Sequence, residues 1–126
     1  MFSLTLLTTY QKININSIAE AFSMGEFEEV FDYLDENIIW TILGESEILG
    51  KHAVTNHCKQ VKDYFNSVTT NFEIQDTISH YNKVIVMGRA EFTRNKQFVS
   101  TVSACDVYEF NSSRKIVKIT SYCIKH

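Results

Sequence analysis

The sequence predicts an α+β fold in which N-terminal helices pack on a mainly antiparallel sheet formed by the second half of the chain. Two features carry that prediction. Apolar residues recur at three- and four-residue steps up to about residue 66 and at every second residue from there onward. The chain has 126 residues, 44% of them apolar and 21% charged, with no proline, which suits one compact domain spanning 1–126.

In order along the chain, Ile15, Ile18 and Phe22 form a helical stripe filled in by Ala19 and Ala21, and Gly25 stops it. A second short helix is expected with Phe27, Val30, Phe31 and Leu34 on its apolar side. Its acidic side carries Glu26, Glu28, Glu29 and Asp32, and carboxylates suit a helix N-terminus. Residues 38–43 form a short strand containing the single tryptophan, Trp40, and Gly44 and Gly50 bracket a loop. A third helix runs over about 51–66, with Ala53, Val54, His57, Val61, Tyr64 and Phe65 on its apolar stripe.

Four alternating runs follow at 72–80, 83–93, 97–110 and 115–125. Tyr81-Asn82, Asn95-Lys96 and Ser112-Ser113 separate them as turn pairs. Two-residue turns would fix the register and so the face of every side chain. One face would then collect Phe72, Ile74, Asp76, Ile78, Ile85, Met87, Arg89, Glu91, Val102, Ala104, Asp106, Tyr108, Ser121 and Cys123. The other would hold Val84, Val86, Gly88, Ala90, Phe92, Thr101, Ser103, Tyr122 and Ile124. Both faces are apolar enough to need cover. The helices supply it for one, and a second subunit is expected on the other, making a homodimer.

Twelve Lys and Arg against 15 Asp and Glu give a net charge of −3. That balance argues against a nucleic-acid partner, which needs a basic face. No apolar run approaches the ~20 residues that cross a bilayer, so no membrane association is expected. Residues 1–16 lack a basic start and a small-residue cleavage pattern, so no signal peptide is predicted. Cys58, Cys105 and Cys123 are odd in number and irregularly spaced, which fits a reduced cytoplasmic chain. His52, His57, His80 and His126 share no metal-like spacing, and neither a metal nor a cofactor is expected.

The order of these elements resembles the SnoaL-like polyketide-cyclase and ketosteroid-isomerase group of the nuclear transport factor two-like superfamily. The resemblance rests on the run Ala21-Phe22-Ser23-Met24-Gly25-Glu26-Phe27-Glu28-Glu29-Val30 and on the strand Ile38-Ile39-Trp40-Thr41. The Gly44-to-Gly50 loop, Asp106-Val107-Tyr108-Glu109-Phe110 and Lys115-Ile116-Val117-Lys118-Ile119 complete it. It implies a cone in which three helices and a curved sheet enclose an apolar pocket, with the opposite sheet face forming a dimer.

Within that resemblance Asp106 falls where ketosteroid isomerases keep a neutral carboxylic acid to hold an enolate oxygen. The base would come from the short strand, where Thr41 and Ile42 stand, and a tyrosine donor from the first helix, where Ile18 stands. Arg89-Ala90-Glu91 resembles the Arg-x-Asp strand motif of limonene-epoxide-hydrolase-like members, whose third carboxylate would lie at Ser121. Asp76 is a substitute for it on another strand. The sequence thus supports a domain binding a small apolar, polyketide- or steroid-like molecule, with Trp40, His57, Tyr64, Asp76, Met87 and Ser121 around it. The alternative is an isomerase, cyclase or epoxide hydrolase using Asp106 as acid or oxyanion donor, Glu91 or Asp76 as base and Arg89 as orienter. Asp106 fits equally a hydrogen-bonded structural acid, Arg89 an ion pair with Asp76 or Glu91, and His57 a core histidine.

Overall fold

A computed structural model describes residues 14–126. The stretch before Asn14, including Tyr10, lies outside the described residues. The first helix, α1 (Ile15–Ser23), is capped by Asn14, whose side chain accepts the Asn16 amide at 2.9 Å. Its Ile18, Ala19 and Phe22 are buried. Gly25, at φ +81°, ends it. The Glu26 and Gly25 amides bond back to the Ala21 and Phe22 carbonyls, a paired closure that requires a left-handed residue.

The expected second helix does not form. Phe27–Glu29 and Phe31–Tyr33 are two short 3₁₀ turns, and Leu34 already begins a strand. The bonds Val30 N–H to Phe27 and Tyr33 N–H to Val30 span three residues. That spacing aligns Phe27 and Val30 toward the core without a full α-helix. The protein therefore has two α-helices among its described residues rather than three. The other is α2 (Lys51–Ser67), entered through Gly50 at φ +90° and burying Val54 and Cys58.

The strands are β1 (Leu34–Ile42), β2 (Ser46–Leu49), β3 (Thr69–His80), β4 (Lys83–Arg94), β5 (Gln97–Phe110) and β6 (Ile116–Lys125), forming one sheet in the order β2-β1-β6-β5-β4-β3. The Gly44–Gly50 segment, expected as loop, contains β2, which pairs antiparallel with β1. β1 runs parallel to β6 and closes the other side of the meander.

The turns at Tyr81-Asn82 and Asn95-Lys96 are two-residue loops as expected, with Tyr81, Asn95 and Lys96 at positive φ. Two bulges then change the faces. Ile74 pairs with Gly88 but Asp76 with Met87, which leaves Gln75 as an extra residue. Phe92 pairs with Ser100 but Thr93 with Phe98, which leaves Val99 extra. Each extra residue shifts the alternation by one and bends its strand. The β5–β6 loop is longer than two residues, spanning 111–115, yet it slips the register by an even number and keeps the expected faces.

The helix-covered face therefore carries Phe72, Ile74, Val84, Val86, Gly88, Ala90, Phe92, Val102, Ala104, Asp106, Tyr108, Ile119, Ser121 and Cys123. Asp76, Ile78, Ile85, Met87, Arg89 and Glu91, expected beside Asp106, lie on the opposite face. Gly88 and Ala90, expected outside, lie within. The core is the layer between this inner face, α1 and α2, centred on Phe22, Ile38, Trp40, Val54, Val86, Tyr108 and Ile119.

Candidate functional site

Small residues on the inner face make room. Gly88, Ala90 and Ala104 lie on neighbouring strands, and between them and the helices opens a cavity of about 290 Å³. Its wall is mostly apolar: Phe22 and Met24, Trp40 and Ile42, Val61 and Phe65, and Phe72, Ile74, Val86, Phe92 and Val102. Rings close much of it. Phe22 meets Trp40 edge-on at 5.1 Å and Phe27 at 5.0 Å, while Phe65 packs on Phe72 at 5.1 Å and Phe92 at 5.9 Å.

Asp106, Ser23, Ser121 and His57 enter this mostly apolar wall from the helices and the centre of the sheet, and Glu45, Glu73 and Arg89 also border the cavity. Ser23, the last residue of α1, donates its hydroxyl to Asp106 Oδ2 at 2.8 Å. The Ser23 hydroxyl oxygen itself lies 2.6 Å from the Tyr108 hydroxyl. Tyr108 is two residues beyond Asp106 on β5, so alternation puts both on one face, and Tyr108 is fully buried. From the next strand Ser121, opposite Asp106 in the register, hydrogen-bonds the carboxyl and accepts the Trp40 indole N–H at 2.9 Å. The His57 ring meets the Trp40 indole edge-on at 5.2 Å.

Burial pushes the Asp106 carboxyl above the usual carboxylate range, against the downward pull of its hydrogen bonds from Ser121 and Ser23. The surface it retains is turned to the cavity. Burial likewise raises the Tyr108 phenol well above its ordinary value, with the neighbouring Asp106 adding to the rise. Cys123 borders the cavity and is pushed up to about 11 by burial first and then by Asp106 and Glu45, so it is a poor thiolate.

The sequence-predicted residues divide between the two faces. Asp106, Trp40, His57 and Ser121 line the cavity together. Tyr64 lies outside its wall, half exposed, packed on Phe92 at 5.6 Å. Asp76 and Met87 pair with each other on the outer face. Arg89 borders the cavity only where Gly88 bares the strand. Alternation turns its side chain outward, across from Ser103, where its guanidinium stands 3.7 Å from Glu91. Two residues given no role from sequence, Ser23 and Tyr108, complete the Asp106 cluster. The period-two pairing of Asp106 with Tyr108 was a usable signal for one of them. Nothing local pointed to Ser23, which meets Asp106 only through the docking of α1 on the sheet.

No protein-family model matches the chain, and no curated protein matches it significantly. Solved structures do. An NTF2-like protein of unknown function from Cytophaga hutchinsonii is 30% identical, with 86% of this chain and 94% of that chain covered and a TM-score of 0.78. An LEH-like epoxide hydrolase from Mycobacterium tuberculosis is 16% identical over 87% of this chain and 82% of its own, with a TM-score of 0.66. RV0760c from Mycobacterium tuberculosis, in complex with estradiol-17beta-hemisuccinate, is 15% identical over 84% and 87%, with a TM-score of 0.62. The latter two share the fold alone, whereas the first is similar in sequence along almost its whole length. On that likeness and the helix–sheet order described above, the chain belongs to the NTF2-like family, the superfamily that its motifs resemble.

Proposed function

We propose that the chain, as one domain, binds a small, largely apolar molecule in the cavity, with Asp106 as the polar anchor. The observation that carries this is the Asp106 carboxyl, held by Ser23 and Ser121, on a wall made mostly of rings and aliphatic groups, with Glu45, Glu73 and Arg89 also bordering it. A few placed polar groups in a mostly apolar cavity fix the orientation of a ligand whose body is hydrophobic. The steroid ester held by RV0760c, which shares the fold, supports the ligand class.

The enzymatic alternative, with Glu91 or Asp76 as base and Arg89 as orienter beside Asp106, is disfavoured. Those three side chains and Asp106 belong to opposite sheet faces. We also propose that a second copy covers the outer face, where Ile78, Tyr122 and Ile124 are exposed. Sedimentation of the protein and of Ile124→Glu tests this, the variant being expected to shift toward monomer. Three free cysteines fit the reducing cytoplasmic compartment that the sequence suggested, and among the described residues no helix is long and apolar enough to cross a membrane.

The binding reading is tested by titrating 2-tetralone into the ¹⁵N-labelled protein. The single tryptophan gives one indole N–H signal, a direct reporter of the cavity. Saturable shifts of that signal and of the Ala104, Asp106 and Ser121 amides are expected, and Ala104→Phe should abolish them. Shifts confined to Met87, Arg89 and Glu91, or none at all, would overturn the reading.

A further inference from the structure

The cavity has a deep end at the Asp106 cluster and an outward end that carries a charge of its own. Of the residues on its wall, Met24, Glu45, Glu73, Arg89 and Cys123 are exposed. Glu73 and Arg89 pair across β3 and β4, and alternation turns both side chains to the outer face. Met24 caps α1, Cys123 lies near the end of β6, and Glu45 is in the turn between β1 and β2. These three mark the mouth. Cys123 is the next inward residue of β6 after Ser121, which sets the mouth roughly 7 Å along the strand from the deep end.

The turn fixes Glu45 in place. The Leu43 N–H bonds to the Ser121 carbonyl at 3.0 Å and hangs the turn on β6. Gly44 takes φ +80°, and the Glu45 N–H returns to the Ile42 carbonyl at 3.0 Å, a tight turn whose third position needs a left-handed residue. The ion pairs among the described residues are Lys51 with Glu36 and Arg89 with Glu91. No described lysine or arginine therefore stands within ion-pair distance of Glu45, Lys125 on the same face of β6 included. The carboxylate acts on the wall: the Cys123 thiol, raised first by burial, is raised further by Asp106 and Glu45. Behind the mouth, Phe22, Trp40, Phe65, Phe72 and Phe92 present aromatic rings to the cavity.

Resting on the reading of the cavity as a ligand site, we propose that Glu45 sets its charge preference, so that the ligand is a cationic amphiphile: an apolar ring body among the aromatic side chains and a protonated amine at the mouth, against the Glu45 carboxylate. At the mouth an ammonium group keeps part of its hydration, whereas at the deep end it would lose nearly all of it. An anionic head group would meet Glu45 with no cation beside it, because the Arg89 guanidinium is engaged with Glu91 on the outer face. A fused two-ring body spans the distance from the deep end to the mouth.

Three probes with one such body test this on the full chain at pH 7: tetralin, 2-aminotetralin and tetralin-2-carboxylate. The amine is expected to bind about 2- to 5-fold more tightly than tetralin and the carboxylate more weakly by a similar factor, the scale of one solvated ion pair. Glu45→Gln should bring the three affinities together, and Glu45→Lys should invert their order. Asp106→Asn, at the deep end, should keep the order. Equal affinities in the native protein, a carboxylate that binds most tightly, or an order that survives Glu45→Gln would overturn the proposal while the cavity reading stood. An order lost in Asp106→Asn and kept in Glu45→Gln would overturn it too, by placing the amine at the deep end. Failure of all three probes to bind would overturn the cavity reading and this inference with it.

Discussion

Ser23 at the end of α1 and Asp106 in the middle of β5 are joined by a 2.8 Å hydrogen bond across 83 residues of sequence. This contact pins the helix to the sheet at the cavity's polar end, and its energetics follow from what each partner would lose. Ser23→Ala strands the buried Tyr108 hydroxyl and is expected to cost about 2–3 kcal/mol, whereas Tyr108→Phe removes the orphan together with the bond and costs about 1 kcal/mol. The double variant should cost less than the sum. Urea unfolding of the four proteins measures this coupling.

Asp106 links the same cluster to pH. Its carboxyl is raised in the folded state above its ordinary value of 3.8, so the folded protein holds that proton more tightly than the unfolded chain. The corresponding stability is fully present below the unfolded value and is lost as pH rises through the folded one. Asp106→Asn cannot ionise and escapes the loss. Its melting temperature should exceed that of the native protein at about pH 7.5, with the gap shrinking steadily as the pH is lowered toward about 4. An equal gap at both ends would contradict the assignment.

Gly88 marks where the sheet tolerates no side chain. A Cβ there would stand 3.0 Å from the Glu73 carbonyl oxygen, beside the Gln75 bulge. Backbone at that distance yields only by moving the strand. Gly88→Ala is expected to destabilise the protein by roughly 1–3 kcal/mol, the range for overpacking, as read by denaturant midpoint.

Arg89 and Glu91 form a half-exposed pair on the outer face. Arg89→Ala should change stability by no more than about 0.5–1 kcal/mol, as for other solvated pairs, and leave 2-tetralone affinity unchanged in a calorimetric titration. A loss of binding would put the guanidinium back in the cavity.

Arg89 also shows where sequence reading stops. Hydrophobic period and turn pairs located α1, α2 and the four meander strands within a few residues, because those signals are local. The face of each β4 side chain depends on two extra residues, Gln75 and Val99, and nothing in either residue's chemistry distinguishes a bulge from a paired position. One unseen insertion on each side of β4 exchanged Arg89 and Glu91 for Val86, Gly88 and Ala90. Asp106 and Ser121 stayed on one face because the longer loop between β5 and β6 slipped by an even count. The missing second helix has a similar cause. The segment after Gly25 has the composition of an amphipathic helix, yet Leu34 is committed to pairing with Ile116 in the sheet, which leaves too few residues for more than two tight turns. Trp40, expected in a short strand, and His57, expected on the apolar stripe of the third helix, both border the cavity. The serine that completes the anchor was visible only once α1 had docked.

The most direct measurement is the ¹³C signal of the Asp106 carboxyl, assigned by its loss in Asp106→Asn and followed through a pH titration with and without 2-tetralone. The account predicts a midpoint above the ordinary carboxylate value of 3.8 in the free protein and a change in that midpoint when 2-tetralone occupies the cavity beside it. A midpoint at or below the ordinary value, or one unmoved by 2-tetralone, would contradict the claim that Asp106 is the buried polar anchor of this cavity.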